Sequence, residues 1–263
     1  MVLDELGRFD DALLAYRDIA ERFNNSTDSV VREQLAKSLV NRGFRLAALK
    51  RYEETITDYN RVLEIANNTT DLALLQQVGK ASSNKGIALG HLERRKDEQA
   101  AYDALIALLG AHTETVLREQ VAIAIFNKGV AYGLAGRHDE EIAAYDSLLA
   151  RFADAPELEL SRQVAETLIN KGVALARLGQ QEPALTLFDT LIERFRTNND
   201  IELRKQVAIA LNNKGHVMKN LHRNDDAVTA FEEVITRYEN STEDVLKNQV
   251  ERARTARAEL QHA

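Results

Sequence analysis

A shift of 43 residues superimposes this chain on itself without an insertion. Asn41-Arg42-Gly43 returns as Asn84-Lys85-Gly86, Asn127-Lys128-Gly129, Asn170-Lys171-Gly172 and Asn213-Lys214-Gly215. Gln34, Gln77, Gln120, Gln163, Gln206 and Gln249 keep the same interval, as do the aromatics Tyr16, Tyr59, Tyr102, Tyr145, Phe188 and Phe231. A period held this strictly means one structural unit stacked on copies of itself, each covering an apolar face that its neighbour could not bury alone.

Inside one unit, Val164, Leu168, Gly172, Leu175 and Leu178 share one face of a helix about five turns long. This first helix, roughly 157–178, ends at Gly179, with Gly136 and Gly7 as counterparts, where the left-handed C-terminal conformation is expected. Pro183 then opens a second helix that places Ala184, Phe188, Leu191, Ile192 and Phe195 on one face. Polar loops such as Asn24-Asn25-Ser26-Thr27-Asp28 and Arg196-Thr197-Asn198-Asn199-Asp200 separate the units. A glycine in mid-helix costs about 1 kcal/mol against alanine. Gly172 and its four counterparts therefore need a packing reason, and close approach of Ala184 and Phe188 to the first-helix backbone supplies one.

An apolar residue, then Asn-x-Gly, then Leu-Gly-Arg-x-x-Glu-Ala, then an aromatic four residues after the alanine, resembles the tetratricopeptide repeat, and the resemblance runs over essentially the whole chain. Two features depart from it: the unit is nine residues longer than the usual 34, and the leucine before the glycine is Arg or Lys in all five copies. Segments such as Val116-Leu117-Arg118-Glu119-Gln120-Val121 continue the helical phase, so the extra length belongs to the first helix. The resemblance implies an all-α fold, a right-handed α-solenoid of stacked antiparallel helix pairs. As one solenoid over 1–263, it comprises a half repeat at 9–23, full repeats at 30–72, 73–115, 116–158, 159–201 and 202–243, and a terminal half repeat at 244–260. Half units at both ends are expected of a fragment or of an array that continues elsewhere.

In that family the first helices line a concave groove, and the motif asparagine often grips the backbone of an extended peptide. The resemblance carries this role onto Asn41, Asn84, Asn127, Asn170 and Asn213. A carboxamide matches a peptide group whatever side chain the peptide bears. Gln77, Gln120 and Gln163 lie seven residues before an asparagine, on the same helix face about 10 Å away. Phe126, Val130, Ile169 and Val173 are the expected apolar floor of a groove that receives apolar peptide side chains. A second reading stays open, in which Asn and Gln bond to neighbouring helices and set the stagger of the repeats. The family's carboxylate clamp finds only Lys37 and Lys80 in register. The recurring base Arg42, Lys85, Lys128, Lys171 or Lys214 is turned about 100° from the asparagine and is expected to pair with Asp103, Asp146 and Asp189 in a structural ladder.

Charge and composition narrow the function. The net charge is −7 with both signs interspersed, so nucleic acid is not an expected partner. No cysteine is present, the six histidines share no repeat position, and no metal spacing or glycine-rich phosphate loop occurs, so neither an enzyme nor a cofactor or metal is implied. Asp139-Glu140-Glu141 sits at a second-helix N-terminus, where the helix dipole explains it. The start MVLDELGRFDDAL lacks a signal-peptide pattern, and no stretch approaches the roughly 20 apolar residues of a membrane span, so no membrane partner and a soluble, cytoplasmic chain are expected. The leading expectation is a protein-interaction module that takes a peptide segment or helix of a partner. The alternatives are a scaffold self-associating through its terminal half repeats, and the sensor or regulatory part of a larger enzyme.

Overall fold

The structure, a computed structural model, describes residues 9–23 and 26–261. Gly7, Asn24 and Asn25 lie outside the described residues. The chain divides into two compact units, residues 1–135 and 136–263. The described residues of the first hold α1 (Phe9–Phe23), α2 (Ser29–Ala48), α3 (Tyr52–Ile65), α4 (Leu72–His91), α5 (Arg95–Leu109) and α6 (Thr115–Leu134). Those of the second hold α7 (His138–Phe152), α8 (Leu158–Arg177), α9 (Gln181–Phe195), α10 (Ile201–Asn220), α11 (Asn224–Tyr238) and α12 (Asp244–Gln261). No strand occurs among the described residues, and none of the helices is long and apolar enough to cross a membrane.

Each boundary has a local cause. Asp28, Asp71 and Asp200 cap α2, α4 and α10 by accepting backbone N–H bonds with their carboxylates. The first helices end in tight turns whose αL residue is Lys50, Glu93, Gly136, Gly179 or His222. In four of these turns the next residue's N–H reaches back to close the helix end, as Arg94 does to the Leu89 carbonyl at 3.0 Å. Only two of the five are glycines, so three turns hold an L-residue where glycine is at ease.

Within each unit the second helices pack against the adjacent first helices, α1 on α2, α3 on α2 and α4, α5 on α4 and α6, α7 on α8, α9 on α8 and α10, and α11 on α10 and α12. Successive first helices also touch: α2 with α4, α4 with α6, α8 with α10, α10 with α12. Among the described residues of each unit no two second helices come into comparable contact. The mid-helix glycines lie where second-helix rings press in. A Cβ at Gly86 would sit 2.5 Å from Tyr102 Cε1, one at Gly172 2.6 Å from Phe188 Cε1, and one at Gly215 2.6 Å from Phe231 Cε1. These rings, with Tyr59 and Tyr145, are fully buried and anchor the core together with Leu74, Val78, Val164, Leu191 and Val207.

Candidate peptide-binding face

Each unit has its own face of touching first helices, and these helices carry Asn41, Asn84 and Asn127 in the first unit and Asn170 and Asn213 in the second. Asn41 is exposed and the other four are half-buried. Two have neighbours within the fold. Asn170 hydrogen-bonds Tyr145 of the preceding second helix; the phenol's pKa is raised, first by burial and then by the Glu141 charge, and this bond opposes the rise. Asn84 lies close enough to Tyr59 to favour its ionised form, although the Tyr59 hydroxyl has no fully formed hydrogen bond among the described residues.

Four of the six glutamines sit deeper than the asparagines, while Gln34 is exposed like Asn41. Gln77 and Gln120 are buried, as are Gln206 and Gln249, and Gln163 is half-buried. Gln120 lies across Gly79 of the previous first helix, where a Cβ would approach its Cγ to 2.6 Å. The other copies have alanine at that point, Ala36, Ala122, Ala165 and Ala208. Gln249 accepts from Asn212 Nδ2 through both its backbone carbonyl, at 3.1 Å, and its side-chain Oε1, at 3.2 Å. At these contacts the glutamines work as spacers between successive first helices. Phe126 and Ile169 are 9% and 6% exposed, Val130 is half-buried, and Val173 is 43% exposed, so most of the apolar surface the face offers at these positions belongs to the valines.

In the second unit α10 and α12 enclose an open depression of about 470 Å³ on this face. Asn213 lines it beside Ile209, His216, Arg252, Thr255 and Glu259. Burial, and then the Lys219 charge, holds the His216 imidazolium below the ordinary histidine range, while Glu259 pulls the other way. Lys219 is held to Glu259 at 2.9 Å, and the His216 ring meets Phe231 edge-on at 5.3 Å between centroids. Ile209, Arg252 and Thr255 carry no repeat signature, which is why the period alone does not single them out.

The basic row behind the asparagines forms a ladder. Lys128 reaches Asp103, and Lys214 reaches Asp189, each at 2.5 Å; Lys171 pairs with Asp146. In every case the acid stands 25 residues earlier, on the preceding second helix. Arg42 instead grips Asp58 with two bonds, at 2.7 and 2.5 Å, because the position 25 residues before it is Arg17. Among the described residues no set of three His, Asp or Glu side chains could hold a metal ion.

The family model of the tetratricopeptide repeat matches residues 166–198, the stretch containing Asn170, Gly172 and Phe188. The chain carries a tetratricopeptide repeat and has the fold that such repeats build. Among solved structures, BtubC (BKLC) from P. vanneervenii matches at 14% identity and a TM-score of 0.66, covering 100% of this chain and 94% of that one. The apo form of RapI matches at 13% identity and a TM-score of 0.62, covering 100% and 96%. A putative kinesin light chain with nearly identical tetratricopeptide-like repeats from Podosopora anserina matches at 11% identity and a TM-score of 0.57, covering 88% and 99%. No curated protein sequence matches. At these identities the tetratricopeptide-repeat likeness speaks for the fold.

Proposed function

We propose that the chain is a protein-interaction module whose first-helix face grips a peptide segment or helix of a partner through its asparagines. The observation that carries this reading is the Asn213 depression. There a carboxamide stands half-open in a mostly polar depression beside Ile209 and Arg252, while the neighbouring Asn212 is already committed to Gln249. Asn41 and Asn127 offer the same chemistry in the other unit, with Val130 as an apolar contact there, and Val173 offers one in the second unit. The buried glutamines fit better as spacers than as ligand groups, so within the proposed site they act by setting the separation of the asparagines. The general use of tetratricopeptide-like folds as interaction scaffolds agrees with this reading.

The test is a selection of displayed, capped peptides on the intact chain, followed by binding isotherms for native protein and for Asn41→Ala/Asn127→Ala/Asn213→Ala with matched helical content and melting. Loss of about tenfold or more in affinity supports the asparagine grip, since a lost hydrogen bond of this kind is worth about 1.4 kcal/mol. Equal affinity in both proteins, or a selection that yields no binder, removes it.

A further inference from the structure

The ladder has a gap. Where Lys128, Lys171 and Lys214 each find an aspartate 25 residues earlier, and Arg257 lies 3.6 Å from Glu232 in the same relation, Lys85 faces Asn60. Lys85 is half-buried, and it makes no salt bridge among the described residues. Asp97, whose charge acts on Lys85, is engaged by Arg94 at 2.8 Å.

Lys85 also opens onto space. It lines a concavity of about 380 Å³ between the second helices α3 and α5, floored by α4. Its apolar walls are Ile56, Leu63, Leu89, Ala101 and Ala104, the Arg94–Asp97 pair and Asn60 also line it, and Ser82 forms part of the floor. At the Ser82 position the other copies carry Leu39, Ile125, Leu168 and Leu211, so one leucine-sized side chain is missing just where the aspartate is missing. Burial, with Arg94 adding to it and Asp97 opposing, holds the Lys85 ammonium below the ordinary lysine range. A half-buried ammonium without an ion pair of its own gains from a carboxylate that can reach it.

We propose that this cleft is a second docking site, in which an aspartate or glutamate side chain of a partner polypeptide pairs with Lys85 and its apolar neighbours cover Leu63, Ala101 and Ala104, the lining residues that keep apolar surface open. The occupant is a side-chain carboxylate, because that is the group which completes the same contact in the other copies. The site lies on the second-helix side of the fold and does not use the asparagine face.

The experiment arrays acetylated, amidated hexapeptides in which Asp, Glu, Asn or Gln is flanked by Ala or Leu, together with the same sequences bearing a free C-terminus. Binding of the full chain is compared with Asn60→Asp, which rebuilds the internal pair, and with Lys85→Gln. The expected result is retention of capped Asp or Glu peptides over their Asn or Gln twins, falling about tenfold in both variants, as loss of a charge-assisted contact requires. Asn41→Ala/Asn127→Ala/Asn213→Ala should leave this binding unchanged, which separates the site from the asparagine grip. No acidic preference, or one that survives in Asn60→Asp, overturns the proposal. So does binding confined to peptides with a free C-terminus, which would make the ligand a terminal carboxylate. If Lys85→Gln fails to fold, Asn60→Asp decides alone, because it adds an ion pair already present in three other copies.

Discussion

Substituting Gly172 by alanine sets two large effects of opposite sign against each other. On an exposed helix the change stabilises by about 1 kcal/mol, because alanine loses less backbone freedom on folding. Here the new methyl would lie 2.6 Å from Phe188 Cε1 and 2.8 Å from Cζ, where carbon atoms rest at about 3.5–4.0 Å. Phe188 is fully buried, so its ring must shift by about 1 Å into packed neighbours, an overpacking that costs about 1–3 kcal/mol. With the ring this enclosed the upper half of that range applies, and Gly172→Ala should destabilise by about 1–2 kcal/mol net. Urea melts followed by circular dichroism give the midpoint shift. The decisive arm is the same substitution made in Phe188→Leu, where the smaller side chain leaves room and the alanine should become neutral or stabilising. A higher midpoint for Gly172→Ala in the native background, or an equal effect in both, would refute the argument that the ring requires the glycine.

Two further outcomes follow from the turns and caps. Glu93 sits at φ +58°, so Glu93→Gly should stabilise by roughly 0.5 kcal/mol, the relief of left-handed strain less the entropy of glycine. Lys96→Gly, within the neighbouring helix, should lose about 1 kcal/mol in the same thermal melts, and a loss at both sites would count against the strain account. Asp200 caps α10 through the Leu203 N–H at 3.1 Å and is gripped by Arg162, whose hydrogen bond is the main reason its carboxyl stays below the usual range. Asp200→Ala should cost about 1–2 kcal/mol at neutral pH. A depressed folded pKa stabilises above the unfolded pKa and loses that contribution as pH falls through the folded one, so the gap between parent and variant should close below about pH 4. A gap that stays constant down to pH 2 would rule out the carboxylate as its source.

Much of this architecture is legible in the chain because periodicity constrains it twice, once within a helix and once between copies. The glycine-to-ring contacts and the Lys–Asp pairing follow from residues that recur together, since side chains that must touch keep their separation in every copy. What the sequence does not reveal is depth. Gln120 and Asn127 share a helical face, yet the preceding first helix covers the glutamine and leaves the asparagine half-open, a difference set by the offset between neighbouring helices and not by either helix alone. Turn chemistry is also muted where Lys50, Glu93 and His222 take a conformation that glycine would announce. The gap at Asn60 is written in the sequence, but it gains meaning only when Lys85 is seen to open onto a cleft.

The contact pattern within each unit has a mechanical side. Among the described residues of a unit, first helices touch their counterparts, while second helices meet only first helices. Such a unit resembles a bound book: the spine is continuous and the leaves are held along one margin. On this pattern, small rotations about the spine would change the distance between leaves more than the separation of the first helices, making the clefts between second helices the compliant dimension of each unit and its asparagine face the stiffer one. A ligand wedged between leaves would set the bend of its unit, and one lying along the spine would feel that bend only as a change in curvature.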